Sequence, residues 1–216
     1  MSLLELLLPS SCAGCGRYGE VLCPTCRASL KPASGALDRF LASDGGWVIG
    51  EGFEVAAAAF AYQGPLRRAL QRLKYVGARQ VAPPLAEAAV PALRRLVAIS
   101  GRQPLVPIPL HPERERVRGY NQASLIAAAL ARADHLPWTS LLVRTRATTK
   151  QHHLDRAGRL RNLRGAFAIA ATARPPPTVI LVDDILTTSA TLDACASVLL
   201  EAGCERVFGF TIAREL

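Results

Sequence analysis

Two kinds of apolar spacing succeed one another along this chain: short runs that fit buried strands, and stripes at every third or fourth position that fit helices. Residues 54–62 (E-V-A-A-A-A-F-A-Y) carry Val55, Phe60 and Tyr62 ahead of a Gly64-Pro65 turn and predict a strand. Residues 66–75 then place Leu66, Ala69, Leu70 and Leu73 on one stripe, with Arg67, Arg68, Arg72 and Lys74 around the rest. That pattern predicts a helix opened by Pro65 and ended by Gly77. A second helix is expected over 81–99, with Pro83 and Pro84 in its first turn. The apolar stretch 105–110 (L-V-P-I-P-L) predicts a short strand whose two prolines keep its edge from pairing continuously. An alanine-rich helix starts at Asn121 or Gln122 and runs to about Asp134, and 141–143 makes a brief strand. A strand over 179–183, a helix over 190–202, a cap at Gly203 and a strand over 207–213 follow. Strands and helices alternate, so the expected fold class is α/β, with a parallel sheet covered by helices on both faces.

The most informative chemistry lies at 179–191, V-I-L-V-D-D-I-L-T-T-S-A-T. Pro175, Pro176 and Pro177 bound the apolar run, which places the two acids at a strand's carboxyl end, where open α/β sheets bind ligands. Thr187, Thr188, Ser189, Ala190 and Thr191 offer hydroxyls and close backbone approach to a phosphate at the start of a helix. Two carboxylates beside a phosphate repel it unless each has another partner. Asp183 and Asp184 are therefore expected to face ribose hydroxyls or a ligand-borne Mg²⁺.

Four of the six cysteines form two C-x-x-C knuckles, Cys12 with Cys15 and Cys23 with Cys26, separated by seven residues. Four thiolates at that spacing can make a closed tetrahedral zinc site, with no open position for water or substrate, so its expected role is structural. Disulfides or a redox pair are the alternatives; a redox C-x-x-C normally occurs once, and no secretory signal is recognised. The expected organisation is a zinc ribbon over 1–30, a linker rich in Pro, Ser, Gly and Asp over 31–50, and a larger domain over 51–216. Cys195 and Cys204 read as small buried residues.

Among 216 residues, 26 Lys and Arg outweigh 17 Asp and Glu, for a formal charge of +9. That balance implies attraction to phosphates, on a small molecule or on a nucleic acid. The apolar start at 3–8 lacks a basic flank and is interrupted by Glu5, and nothing later approaches the roughly twenty apolar residues of a membrane helix. A cytoplasmic protein without membrane insertion is the expectation.

The segment 179–191 resembles the phosphoribosyl pyrophosphate (PRPP) loop of type I phosphoribosyltransferases: apolar residues, two acids, two variable positions, then T-[TS]-G-x-T. Ser189 stands where that pattern has glycine, and a serine suits the turn if its backbone keeps to an ordinary region. Three further segments resemble the ComF (competence protein F, GntX-like) family. They are Lys74-Tyr75 with Gly77; V-P-I-P-L-H at 106–111 followed by R-x-R-x-R-G-Y-N-Q at 114–122; and the basic stretch 144–167. With the double C-x-x-C, the likeness spans almost the whole chain.

The resemblance implies a type I phosphoribosyltransferase-like fold with an amino-terminal zinc ribbon. It implies PRPP as ligand with Mg²⁺, Asp183 and Asp184 in the catalytic role, and Lys74 and Arg118 joining 187–191 in substrate binding; Arg114 and Arg116 are further candidates for the pyrophosphate. Residues 144–165 would be a lid. Two functions stay open: a pentosyl-transferring enzyme linked to DNA uptake and natural transformation, or a non-catalytic module binding single-stranded DNA, a competence helicase or a recombination loader. His111, His152 and His153 are weaker acid–base candidates, and Tyr120 could stack on a base or pack in the core.

Overall fold

The computed structural model describes residues 10–33, 52–146 and 165–215. Most of the expected linker (34–50), most of the expected lid (147–164, with His152 and His153) and residues 1–9 lie outside them.

The described chain builds β1 (Val55–Ala61), α2 (Gly64–Tyr75), α3 (Ala82–Ser100), β2 (Leu105–Pro107), α4 (Pro112–Arg118), α5 (Gln122–Asp134), β3 (Leu142–Arg144), β4 (Phe167–Ile169), β5 (Thr178–Leu186), α6 (Ala190–Glu201) and β6 (Arg206–Arg214), after a first short helix, α1 (Pro24–Ala28). Four strands form one parallel sheet in the order β1-β6-β5-β2. β5 lies inside it, which explains its uninterrupted apolar run. β2 lies at an edge, the place where Pro107 removes no ladder bond that the sheet needs. The other edge, β1, is covered: Ala33 and Ala61 exchange hydrogen bonds with Ala59 and Lys31 across it. Residues 31–33 of the expected linker thus lie against the sheet.

Helices cover both faces. On one face Leu66, Leu70 and Leu73 of α2, Leu85, Leu93 and Leu96 of α3, and Ile126 and Leu130 of α5 pack with Ile180, Val182, Phe208 and Phe210. On the other, Leu192, Cys195 and Leu199 of α6 pack with Val179, Leu181 and Val207, alongside Leu142 and Phe167 of the antiparallel pair β3–β4. This three-layer α/β arrangement is the expected fold class.

Four elements of the described residues are absent from the pattern reading: α1, α4, β4 and a single 3-10 turn, Arg79–Val81. Each is at most seven residues long, too short for a helical stripe or a strand alternation to repeat. β5 also runs three residues further than the expected strand over 179–183, because its ladder to β6 continues through Ile185–Ala213 and Leu186–Arg214. The two acids therefore sit inside the strand, at the sixth and seventh of its nine positions.

Candidate functional site

Successive side chains of a strand point to opposite faces, and this separates the two acids. Asp184 faces the α2 side, where Lys74 places its Nζ 2.8 Å from Asp184 Oδ2. Both partners are largely withdrawn from water, with side chains 19% and 5% exposed. Burial works against the Lys74 ammonium, but the Asp184 carboxylate, and Asp183 beyond it, raise its pKa above the ordinary value. Asp183 faces the α6 side. Its Oδ1 accepts the Asp184 backbone N–H at 2.8 Å. Burial first, and the neighbouring Asp184 second, push its carboxyl up to about 8, against the opposing pull of Lys74. Each acid thus has its own surroundings, and the Lys74 ammonium is already committed to Asp184.

Asp183 lines a cavity of about 20 Å³ with Thr187, Ser189, Ala190, Thr191 and Thr211. That is room for one water-sized guest in the present loop conformation. All of 187–191 is thereby gathered between the end of β5 and the start of α6, as the sequence order implied, with the Ala190 N–H donating to the Thr188 carbonyl at 2.7 Å. Ser189 departs from expectation. Its backbone is left-handed, with φ 56° and ψ −15°, rather than in an ordinary region.

The four paired cysteines converge. Their sulfurs all lie within 4.8 Å of one another, and Cys15 Sγ and Cys23 Sγ are 3.8 Å apart. A tetrahedron of thiolates with Zn–S near 2.3 Å has edges of about 3.8 Å, so this donor set could bind a zinc ion. Crowding divides the thiols: Arg17 beside Cys15 lowers its pKa to about 6, while burial pushes Cys26 up. Gly14 has no room for a side chain, since a Cβ there would stand 2.8 Å from Cys26 Sγ and 2.9 Å from Pro65 Cβ. The knuckle rests directly on α2: the Arg68 guanidinium donates to the Gly14 carbonyl, and Arg72 donates to the Cys12 carbonyl at 3.2 Å and to Ser11 Oγ at 3.3 Å. Cys12, Leu22, Cys26 and Leu30 share one core with α2 and α3.

The DNA utilization protein YhgH of Escherichia coli K12 is 30% identical to this chain over 211 residues, covering 96% of it and 90% of the relative. The chain belongs to the ComF family. Competence protein F of Haemophilus influenzae is 28% identical over 94% of the chain and 90% of its own length. Competence protein ComFC of Bacillus subtilis is 40% identical over 111 residues, 51% of the chain and 44% of the relative. No family model matches. Among solved structures, a hypoxanthine phosphoribosyltransferase from Staphylococcus aureus covers 60% of this chain and 63% of its own with a TM-score of 0.35 at 17% identity, a likeness too partial to carry an argument. No helix of the described residues is long and apolar enough to cross a membrane.

The segment R-G-Y-N-Q of the ComF pattern turns out to be a brace for the site. Gly119 closes α4 in the left-handed conformation, φ 78°, with a Cβ there 3.0 Å from Arg79 Nη2. Tyr120 is buried, and its hydroxyl donates to the Leu73 carbonyl, one residue from Lys74. It packs in the core, with Arg79 4.7 Å over its ring, and is not placed to stack on a base. Asn121 donates from Nδ2 to the Ile108 carbonyl and accepts the Ala123 N–H, both at 2.9 Å, so one side chain starts α5 and fixes the V-P-I-P turn. Arg118 donates to Gln122 Oε1 and lies 5.7 Å over Tyr75, so it borders α2 rather than Asp183. His111 is occupied as the cap of α4, accepting the Glu113 N–H at 3.3 Å.

One arginine, Arg144, stands near enough to Asp183 for the two charges to interact, which the motif alone does not suggest. The pKa of Arg144 is lowered first by burial and next by the Arg114 guanidinium, while Cys195 and Asp183 pull the other way. A pair of guanidiniums that oppose one another beside a carboxylate is relieved by an anion. Arg144 was legible only as the end of a basic stretch; the strand pair β3–β4 is what carries it here.

Because the folded pKa of Asp183 lies above its ordinary 3.8, its protonated form is the favoured one, and its contribution to stability is complete at low pH and lost as pH rises toward about 8. The unfolding midpoint of magnesium-free protein is expected to fall across that window and Asp183→Asn to flatten the fall; parallel profiles would refute it. One zinc per chain is expected by elemental analysis. Cys12→Ser should release it and lower the midpoint, because Cys12 belongs to the α2 core, while far-ultraviolet circular dichroism keeps its α/β form.

Proposed function

We propose that this chain binds PRPP with Mg²⁺ as a phosphoribosyltransferase-like protein of DNA utilisation. The observation that carries the reading is Asp183: a carboxylate held up to about 8, beside the cavity lined by Thr187, Ser189 and Thr191, while Lys74 serves Asp184. A carboxylate in that state favours a hydroxyl to hydrogen-bond or a hard cation to neutralise it. The donor set is all oxygen, which fits magnesium. When bound with PRPP, the cation supplies neutralisation of the pyrophosphate.

The residues of this chain do the rest. Thr187, Thr188, Ser189, Ala190 and Thr191 receive the 5′-phosphate at the amino end of α6. Asp183 and Asp184 orient the ribose hydroxyls and stabilise positive charge developing at C1 as pyrophosphate leaves. Lys74 holds Asp184 in its ion pair, and Arg114 and Arg144 offset the pyrophosphate charge. Transfer of the pentosyl group then needs an acceptor, supplied from outside the PRPP loop. That the relatives are a DNA utilization protein and competence proteins supports work with DNA, which this reading assigns to the cytoplasm. The zinc has a structural part, joining 10–33 to α2.

Isothermal titration with PRPP, with and without Mg²⁺, tests the site. Magnesium-dependent binding is expected, weakened at least about tenfold by Asp183→Asn with Asp184→Asn, the loss of charge-assisted contacts. Unchanged affinity in that variant would sink the site assignment.

A second reading has its own observation. A groove of about 660 Å³ runs between the cysteine knuckle and α2, lined by Gly14, Cys15, Gly16, Arg68, Arg72, Tyr75 and Val76. Tyr75 is 76% exposed beside these arginines, a combination that suits the bases and phosphates of single-stranded DNA and a hand-over to a helicase or recombination loader. In this reading Tyr75→Ala weakens oligothymidylate binding about fivefold or more by loss of one stacked base. Fluorescence anisotropy at two salt concentrations measures it, and equal binding by the variant would leave the groove without this role.

A further inference from the structure

Ser189 is an unusual N-cap for a helix. A serine in that place ordinarily accepts a backbone N–H with its oxygen, whereas Ser189 makes no such cap and its hydroxyl donates to Asp193 Oδ2 at 2.9 Å. Its backbone is left-handed, φ 56°, a conformation that a residue with a side chain keeps only where its surroundings hold it. His135 is the other such residue among those described, and it ends a helix, where left-handed backbone is common.

What holds Ser189 is visible. Asp193 N–H donates back to the Ser189 carbonyl at 2.9 Å, so the two residues are joined by backbone and side chain at once. Ser189 is 5% exposed and Asp193 4%. The second oxygen of Asp193, Oδ1, faces the Gly52 N–H at 3.4 Å. Gly52 itself is packed on α6, where a Cβ would stand 3.0 Å from the Asp193 carbonyl and 3.2 Å from Ala196 Cβ. The carboxylate is thus fixed from the helix and from the chain entering β1. Its place in the first turn also suits the helix dipole.

We propose that Asp193 is a positioning residue for the phosphate-receiving loop, acting through Ser189. The pair holds Ser189, at the middle of 187–191, in a left-handed conformation that a glycine would take unaided. Asp193 does not touch the bound phosphate; both of its oxygens are turned to Ser189 and Gly52. This rests on the reading of that loop as the 5′-phosphate site, and it adds the means by which a serine chain keeps the loop shaped.

A cycle of variants in the full-length protein tests it: Asp193→Ala, Ser189→Gly, the two together, and Asp193→Asn. Two quantities are read, the affinity for magnesium PRPP by titration calorimetry and the amide hydrogen exchange of the peptide spanning 186–192. Asp193→Ala is expected to weaken binding about tenfold and to speed exchange in the serine chain, because the strained turn is released. In the Ser189→Gly background the same change should cost less than about twofold, since glycine needs no anchor. Asp193→Asn, which keeps an acceptor oxygen for Ser189, should retain most of the affinity. Equal losses in the serine and glycine backgrounds would overturn the proposal. If the parent binds no PRPP, the ligand reading fails by itself, and the exchange data alone decide the anchor: faster exchange in both backgrounds alike refutes it.

Discussion

The ion pair between Lys74 and Asp184, 2.8 Å long and mostly shielded from water, joins helix α2 to the end of β5 and gives the two neighbouring acids different work. Had both carboxylates faced one side, their repulsion in a poorly solvated setting would have forced one to stay protonated whatever lay nearby. Strand alternation instead sends Asp184 to the ammonium and Asp183 to the cavity beside α6. Asp183 is left as the group whose charge is unfavourable in the isolated chain, pushed up to about 8. It is the group with most to gain from a cation or a hydroxyl.

Helix α2 is consequently the element that must not move, and several parts of the chain hold it. The Tyr120 hydroxyl meets the Leu73 carbonyl, Arg79 packs over Tyr120, and Arg68 and Arg72 reach back to the cysteine knuckle. Buried polar bonds of this kind are costly to lose because the abandoned carbonyl has no water to replace its partner. The cysteine knuckle also fills part of the α2 core through Cys12, Leu22 and Leu30. A metal held by the four cysteines would steady the helix that carries Lys74 from a distance.

The same helix presents Lys74 to the acids and Tyr75 to the groove beside the knuckle. Neighbouring helix residues point about 100° apart, so one element turns Lys74 to the proposed phosphate-sugar site on one side and an exposed aromatic surface to the other. The two functional readings therefore use different faces of α2 and are not exclusive geometrically.

Much of this was legible in the chain. Period and punctuation located the long helices and the strands of the main sheet, because a stripe of Leu66, Ala69, Leu70 and Leu73 or a run such as 179–182 has one economical way to bury itself. The double C-x-x-C announced its own convergence, since ligand spacing is local. The candidate loop was likewise contiguous, so its residues could not be far apart. What sequence could not supply was direction and company. Arg118, read as a ligand of the site, borders Tyr75 and Gln122, while Arg114 and Arg144, distant in sequence, affect one another beside Asp183. Tyr120 packs inward, and Ser189 takes a strained turn only because Asp193 and Gly52 meet it from α6 and from the entry to β1. The sequence by itself determined the periodic elements, the clustered donors and the family. Only the tertiary structure decided which face each charge occupies and which neighbour sets its protonation, because those depend on contacts between segments that no local pattern encodes.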